Sequence, residues 1–265
     1  MDIVVCIKQV IDPEIPPDLF RLDAATGRQV RGGLSLVISA YDQNALELAL
    51  QLREKTGGKI TALTIGGAEA QGAVKTAMGM GVDAGVLVRD PALLDSDSFG
   101  VAAALAAAIR KLGADLVLTG CVSGDTGSKA MAPILAEELG WPCLCFASRL
   151  ERRESRIVAR RLVDDGYETV ETTLPAVAGI ISDDSNVPRF SKLKDIMAAA
   201  RKPVPVWSLP DLGIPPSTVG PAARRLSLTE VTIPTRDSRC ELIAGETPDE
   251  QARRLAERLR ELTVI

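Results

Sequence analysis

Histidine is absent from the 265 residues of this chain. That removes Ser-His-Asp and Cys-His catalysis and the commonest metal ligand. Chemistry must then come from carboxylates, lysine, cysteine, tyrosine or a bound cofactor, and a protein that positions a cofactor needs no acid–base machinery of its own. Aromatic residues make up only 3%, so the core must be mostly Ala, Val, Leu and Ile, which suits a parallel sheet covered by helices. No apolar run reaches transmembrane length. The N-terminus, Met1-Asp2-Ile3-Val4-Val5-Cys6, lacks a basic region and predicts a strand rather than a signal peptide. A basic excess is also missing: the net charge is -4 and the pI about 5.2, which argues against nucleic-acid binding. The cysteines number five, and the spacings usual for structural zinc are absent. Cys143 and Cys145 alternate as along a strand and do not form a CxxC. All are expected to be reduced thiols in a cytoplasmic protein.

What is present is strongly patterned. Ile3–Ile7 predicts a first strand, after which Pro13, Pro16 and Pro17 hold an irregular or hairpin-like excursion to about Gly33. Leu34–Ile38 is apolar again. From Tyr41 a helix follows, with Tyr41, Ala45, Leu48 and Leu52 on one face and Asp42 near the positive end of its dipole. Lys59–Ile65, Ala84–Val88 and Asp115–Thr119 read as strands. Ala68–Met80 and a stretch with Val101, Leu105, Ala108 and Leu112 on one stripe read as helices, the second capped by Asp95, Ser96 or Asp97. Alternation of this kind predicts a doubly wound α/β sheet, whose ligands sit beyond the carboxyl ends of the strands. After Trp141 the pattern changes. Cys143–Leu150, Ser155–Val163 and Glu168–Leu174 predict antiparallel strands that extend the sheet, with Asp164-Asp165-Gly166 as a hairpin turn. Ser182–Gly220 is polar and Pro-rich, with a short helix over Lys192–Arg201. Thr247-Pro248-Asp249-Glu250 predicts a capping box opening a C-terminal helix, whose apolar face is Ala252, Leu255, Leu259 and Leu262. No internal repeat is present.

The loop Gly120–Ser128 is the leading candidate site. Gly120, Gly124 and Gly127 permit close approach of a ligand to backbone amides, Ser123, Thr126 and Ser128 add hydroxyls, and a helix is expected to begin near Ser128 with its amides turned to the loop. The pattern is neither a P-loop nor a dinucleotide fingerprint. Phosphate binding and a purely structural turn are both open readings of it. Asp125 can cap an amide, bond a ribose hydroxyl or stay solvated. Tyr41 can stack on a ring or pack, and Lys8 can neutralise phosphate or stay solvated. Cys6 and Cys121 read as buried, inert thiols at strand ends. Arg189, Lys192, Lys194, Arg201 and Lys202 form a basic stretch that is either a solvated face or a partner contact.

Several segments together resemble the electron transfer flavoprotein beta subunit: VCIKQVID (Val5–Asp12), SAYDQNALELALQLRE (Ser39–Glu54), DLVLTG with the loop running to LGWP (Asp115–Pro142), VARRLVDDGYETVETTLPAV (Val158–Val177) and PRFSKLKDIMAAARKPV (Pro188–Val204). The YDQNALE segment, Arg201–Val204 with Trp207, and the C-terminal helix also resemble the branch allied to nitrogen fixation, carnitine metabolism and electron bifurcation.

The resemblance implies a Rossmann-like, mostly parallel sheet over residues 1–200 and a C-terminal arm over 201–265 that docks on an alpha subunit. It implies an FAD shared with that subunit and, in this chain, AMP or a second FAD. Nucleotide contacts are implied at Cys6, Lys8, Ser39, Ala40, Tyr41, Asp42, Ile65, Gly66, Gly120, Cys121, Val122, Ser123, Gly124, Asp125, Thr126, Gly127, Ser128 and Met131. Contacts with a partner dehydrogenase are implied at Pro188, Arg189, Leu193, Ile196 and Met197. No catalytic residue, metal or membrane insertion is expected. NADH oxidation is expected only if a second FAD is held. The chain departs from many family members at Ser39-Ala40, where Asn-Pro is common, and at Ala130-Met131-Ala132. The alternative reading is an adenine-nucleotide-binding stress or sensor module with no redox role.

Overall fold

The computed structural model describes residues 1–23, 26–234 and 240–265. Its chain divides into two compact units, Met1–Ser227 and Leu228–Ile265.

The first unit is built on a nine-stranded sheet of order β11-β5-β4-β1-β6-β10-β7-β8-β9. Its inner strands are β1 (Ile3–Cys6), β4 (Ile60–Ile65), β5 (Ala84–Val88), β6 (Leu116–Gly120) and β10 (Ala176–Ile180), all paired in parallel. Short β11 (Val206–Trp207) adds in parallel to β5. β7 (Cys143–Arg153) pairs in parallel with β10, then β8 (Arg156–Val163) and β9 (Gly166–Thr173) follow antiparallel. The expected doubly wound sheet with an antiparallel extension is therefore present. β2 (Gln9–Ile11) and β3 (Leu36–Ile38) form a separate antiparallel pair that closes the Pro-rich excursion.

Both faces of the parallel strands are covered, and the side-chain alternation of a strand divides the core in two. Ile3, Val5, Ile60, Ala62, Leu116 and Leu118 pack beneath α1 (Ala40–Thr56) and α2 (Gln71–Met80). Val4, Cys6, Leu63, Val86, Val117 and Val177 pack beneath α3 (Ser98–Leu112) and α4 (Met131–Leu139), with Leu209 of the one-turn α6 (Leu209–Leu212). Small side chains do the close packing: Ala102, Ala104, Ala106 and Ala108 of α3 are all fully buried. α5 (Leu193–Arg201) lies against α2 through Ala199, which joins Ala70, Val74, Met78, Leu87 and Val204 in a smaller cluster.

Local expectations hold at most helix ends. Asp97 caps α3, accepting from the amides of Phe99 and Gly100, and Gly81 and Gly113 end α2 and α3 in left-handed conformation. Three details differ. α4 begins at Met131, not near Ser128, because Lys129 takes φ 54°, a left-handed value that a helix cannot include. β10 occupies the centre of the sheet although Ala176–Ile180 has no period-two pattern. It is buried on both faces, so nothing in it alternates. In the second unit, α7 (Pro248–Glu261) is capped by Thr247, which accepts from the Glu250 amide. The reciprocal bond of a capping box runs one residue further back, from the Glu246 amide to Glu250 Oε2 at 3.0 Å. No helix among the described residues is long and apolar enough to cross a membrane.

Candidate functional site

β1 lies between β4 and β6, and the chain winds from β1 towards β4 and β5 before returning to β6 on the other side. The carboxyl ends of β1 and β6 thus flank a topological switch point, where open α/β sheets form their ligand crevice. The candidate loops meet there. The loop after β1, the entry to α1 and the loop after β6 are tied to one another by hydrogen bonds.

Asp42 is the centre of these ties. Its Oδ2 accepts from the Lys8 amide and its Oδ1 from the Gly120 amide, each at 2.8 Å. The carboxylate is buried, and burial pushes its pKa up to about 7 against the pull of those two amides and of the Lys8 charge. Both oxygens are thereby engaged with backbone, so Asp42 serves the architecture of the crevice rather than only the dipole of α1. Gly120 completes the arrangement. A Cβ there would lie 2.6 Å from Asp42 Oδ1 and 2.8 Å from Tyr41 Cβ, so the approach of α1 to β6 requires glycine at this position. Tyr41 packs its stem over that glycine.

Ser39, at the N-terminus of α1, is buried and turns its hydroxyl to the Gly124 amide at 3.3 Å instead of capping its own helix. Lys8 forms an ion pair with Asp125 at 2.6 Å. Although burial opposes it, the hydrogen bond from Lys8 holds the Asp125 carboxyl below the usual carboxylate range. The Lys8 charge is thus shared with Asp125. Ser123 and Thr126 hydroxyls pair at 2.9 Å, and the Gly127 amide donates to the Ser123 carbonyl. Cys6 and Cys121 are buried; burial raises both thiols, Cys121 to about 11, so neither is a thiolate near neutrality. Ile65 ends β4, and Gly66 follows it. The Gly66 amide donates to Val88, and Gln9 reaches across to the Glu69 carbonyl.

The helix after the loop enters without a side-chain cap: Ala130 precedes it and provides none. The amides of Met131 and Ala132 in its first turn have no intrahelical acceptor, and Pro133 at the third position has no N–H. Amides at an uncapped helix end, hydroxyls in the preceding loop, and a lysine already balanced by aspartate are a donor set that can take a phosphate or phosphodiester. They do not suit a metal ion, and among the described residues no group of three or more Cys, Asp or Glu is placed to hold one.

The other expected cluster lies on a different element. Arg189 donates to Glu47 of α1 through Nε at 2.8 Å and Nη2 at 2.9 Å, and also pairs with Glu54. Glu47 is almost fully buried. Burial opposes its ionisation, but the Arg189 and Gln51 hydrogen bonds hold its carboxyl below the ordinary range. Nothing in the basic stretch around Arg189 signals this anchor in the sequence, since Glu47 lies 142 residues earlier. Beyond the anchor, Phe190, Leu193, Ile196 and Met197 are exposed, with Pro188 leading into them.

Residues 29–212 match the model of the electron transfer flavoprotein domain. The electron transfer flavoprotein subunit beta of Thermoanaerobacterium thermosaccharolyticum is 32% identical, with 100% of both chains covered. The caffeyl-CoA reductase-Etf complex subunit CarD of Acetobacterium woodii is 30% identical, again over 100% of both. The protein FixA of Azotobacter vinelandii is 32% identical over 97% of this chain and 92% of the relative. With a family model spanning most of the chain and relatives matched along nearly their whole length, the chain belongs to the electron transfer flavoprotein family, among its beta subunits.

Proposed function

We propose that this chain pairs with an alpha subunit in a heterodimeric electron transfer flavoprotein and holds an adenine nucleotide, AMP or a second FAD, in the crevice between β1 and β6. The observation that best supports this is the uncapped start of α4 meeting the hydroxyl-bearing loop after β6 at the switch point of the sheet. The amides of Met131 and Ala132 take the phosphate. Gly120 and Asp42 fix the crevice, and Ser39 holds the loop through Gly124. A flavin shared with the alpha subunit supplies the one-electron chemistry, and this chain supplies position and shielding.

The names of the relatives fit such an assembly, one being a subunit of a reductase–Etf complex. Electrons pass between a dehydrogenase and an acceptor, with the exposed apolar row on α5 as the contact. Pro188 and Arg189 set that row, and Leu193, Ile196 and Met197 fill it. The second unit offers α7, with Leu255 on the helix and Leu262 at its C-cap exposed, as a docking arm for the alpha subunit. The assembly operates in the cytoplasm. Co-expression with the gene for the alpha subunit tests the pairing. A yellow heterodimer is expected, and a colourless homodimer would overturn it.

A further inference from the structure

We infer that Cys143 and Cys145 form a redox-active vicinal dithiol, a modification site at which a hydroperoxide is reduced and an intrastrand disulfide closes. The two sulfurs lie 3.5 Å apart on the same face of β7, and both residues are half-buried. The other thiols differ from them. Cys6 and Cys121 are buried and Cys240 is exposed, and none of these is hydrogen-bonded to a second sulfur among the described residues.

The backbone around the pair is irregular in a way that plain pairing does not need. The β7–β10 register shifts between Ala178/Leu144 and Ile180/Ala147, so Cys145 and Phe146 together face Gly179. Phe146 takes φ 58°, a left-handed conformation uncommon for an aromatic residue. The β7–β8 register shifts again between Ala147 and Arg149. Bulges of this kind re-aim side chains and concentrate beside reactive sites.

A cation completes the cluster. Arg161 of β8 sits opposite Ala147, and its positive charge favours the thiolate of both cysteines. The hydrogen bond between the two sulfurs lowers Cys145, burial opposes it, and the Arg161 charge adds to the lowering, which brings Cys145 down to about 6, while the same hydrogen bond pushes Cys143 up. Arg161 Nε also forms an ion pair with Glu168 Oε1 at 3.1 Å, so its charge is shared between that carboxylate and the two sulfurs. A partly exposed thiolate beside a cation and a second thiol is the arrangement found at reactive cysteines.

The chemistry balances with the hydroperoxide as oxidant. The Cys145 thiolate attacks the terminal oxygen, an S–O bond forms, the O–O bond breaks, and the alkoxide leaves as an alcohol after taking a proton. Cys143 then displaces the hydroxyl. The S–S bond forms, the S–O bond breaks, and water leaves with the Cys143 proton. Two thiols lose two electrons and the hydroperoxide gains them. Two residues along an extended strand span about 6.6–6.8 Å between Cα atoms, the outer limit for a disulfide, so the bridge is one that cellular thiols readily reduce. The inference stands independently of the nucleotide reading.

Trypsin cleaves after Lys129 and Arg149, which places both sulfurs on one peptide, Ala130–Arg149. The full chain is treated at pH 7 with one equivalent of hydrogen peroxide, alkylated and digested. The expected peptide is unalkylated and two hydrogens lighter, with Cys240 still alkylated. In Cys143→Ser the reaction stops at a Cys145 sulfenic acid that dimedone traps. Recovery of the peptide with both cysteines alkylated, or oxidation centred on Cys240, would overturn the inference. Alkylation of the unmodified chain needs no variant. Cys145 should react roughly tenfold faster than Cys240 at pH 7, since the sulfur pair and Arg161 lower its thiol; a rate rising only above pH 8 would equally overturn it.

Discussion

At the residue scale, the crevice depends on contacts between short side chains and backbone. Gly120→Ala would force its methyl to within 2.6 Å of Asp42 Oδ1, and relief must come from α1 or β6. Overpacking of this kind costs about 1–3 kcal/mol, so urea denaturation should show a lower midpoint with an unchanged slope. Asp42→Asn replaces one accepting oxygen with an NH₂ group that faces an amide donor. The loss should be about 1–3 kcal/mol at pH 5, the cost of a buried donor left without a partner.

The pH dependence of Asp42 has a definite sign. Its pKa is raised to about 7, so the fold favours the protonated form. The stability it contributes is complete below the ordinary Asp pKa and is lost as pH rises through about 7. The stability gap between the wild-type chain and Asp42→Asn should therefore narrow from pH 5 to pH 8. A gap constant across that range would contradict this assignment. Neither role could be read from the sequence at Asp42 itself, because its donors lie 34 and 78 residues away. What was legible was the composition of the loop: Gly, Ser and Thr between a strand and a helix.

At the scale of elements, strands and helices with a clear period were legible, and those without one were not. α1 and α3 are helices as predicted, but their burial is wider than the expected stripes: α1 is buried almost all round from Asp42 to Leu50, and in α3 Ala102, Ala104, Ala106 and Ile109 are buried while Val101 and Leu112 are only partly so. β10 is uniformly buried and short, so it is recognised only once β6 and β7 flank it. α4 starts three residues late because Lys129 is left-handed, and Ala130 gives it no side-chain cap, which leaves open the first-turn amides proposed to take the phosphate. α5 was legible as a helix, but its fixation was not. Glu47→Ala removes the buried one of the two carboxylates that Arg189 pairs with. For a charged hydrogen-bonded pair with one half-exposed partner, a loss of about 1–3 kcal/mol is expected. Leu193→Ala, on the exposed face, should leave stability within about 0.5 kcal/mol and yet slow electron transfer to the partner dehydrogenase, raising KM for the flavoprotein more than it lowers kcat. Equal rates for Leu193→Ala and wild type would remove α5 from the contact.

At the scale of the whole molecule, a nine-stranded sheet places the loops after β1 and β6 together, while the second unit, from Leu228, carries α7 with Leu255 exposed and Leu259 partly buried. The lack of histidine, the scarcity of aromatics and the abundance of small aliphatic side chains fit a scaffold that positions a cofactor. On the function proposed here, the crevice holds an adenine nucleotide in addition to an FAD shared with the alpha subunit. The most direct test is to denature the purified heterodimer and quantify the released FAD and AMP per dimer. Two adenine nucleotides are expected per dimer, either one FAD with one AMP or two FADs. A stable heterodimer that releases one FAD and nothing else would contradict it.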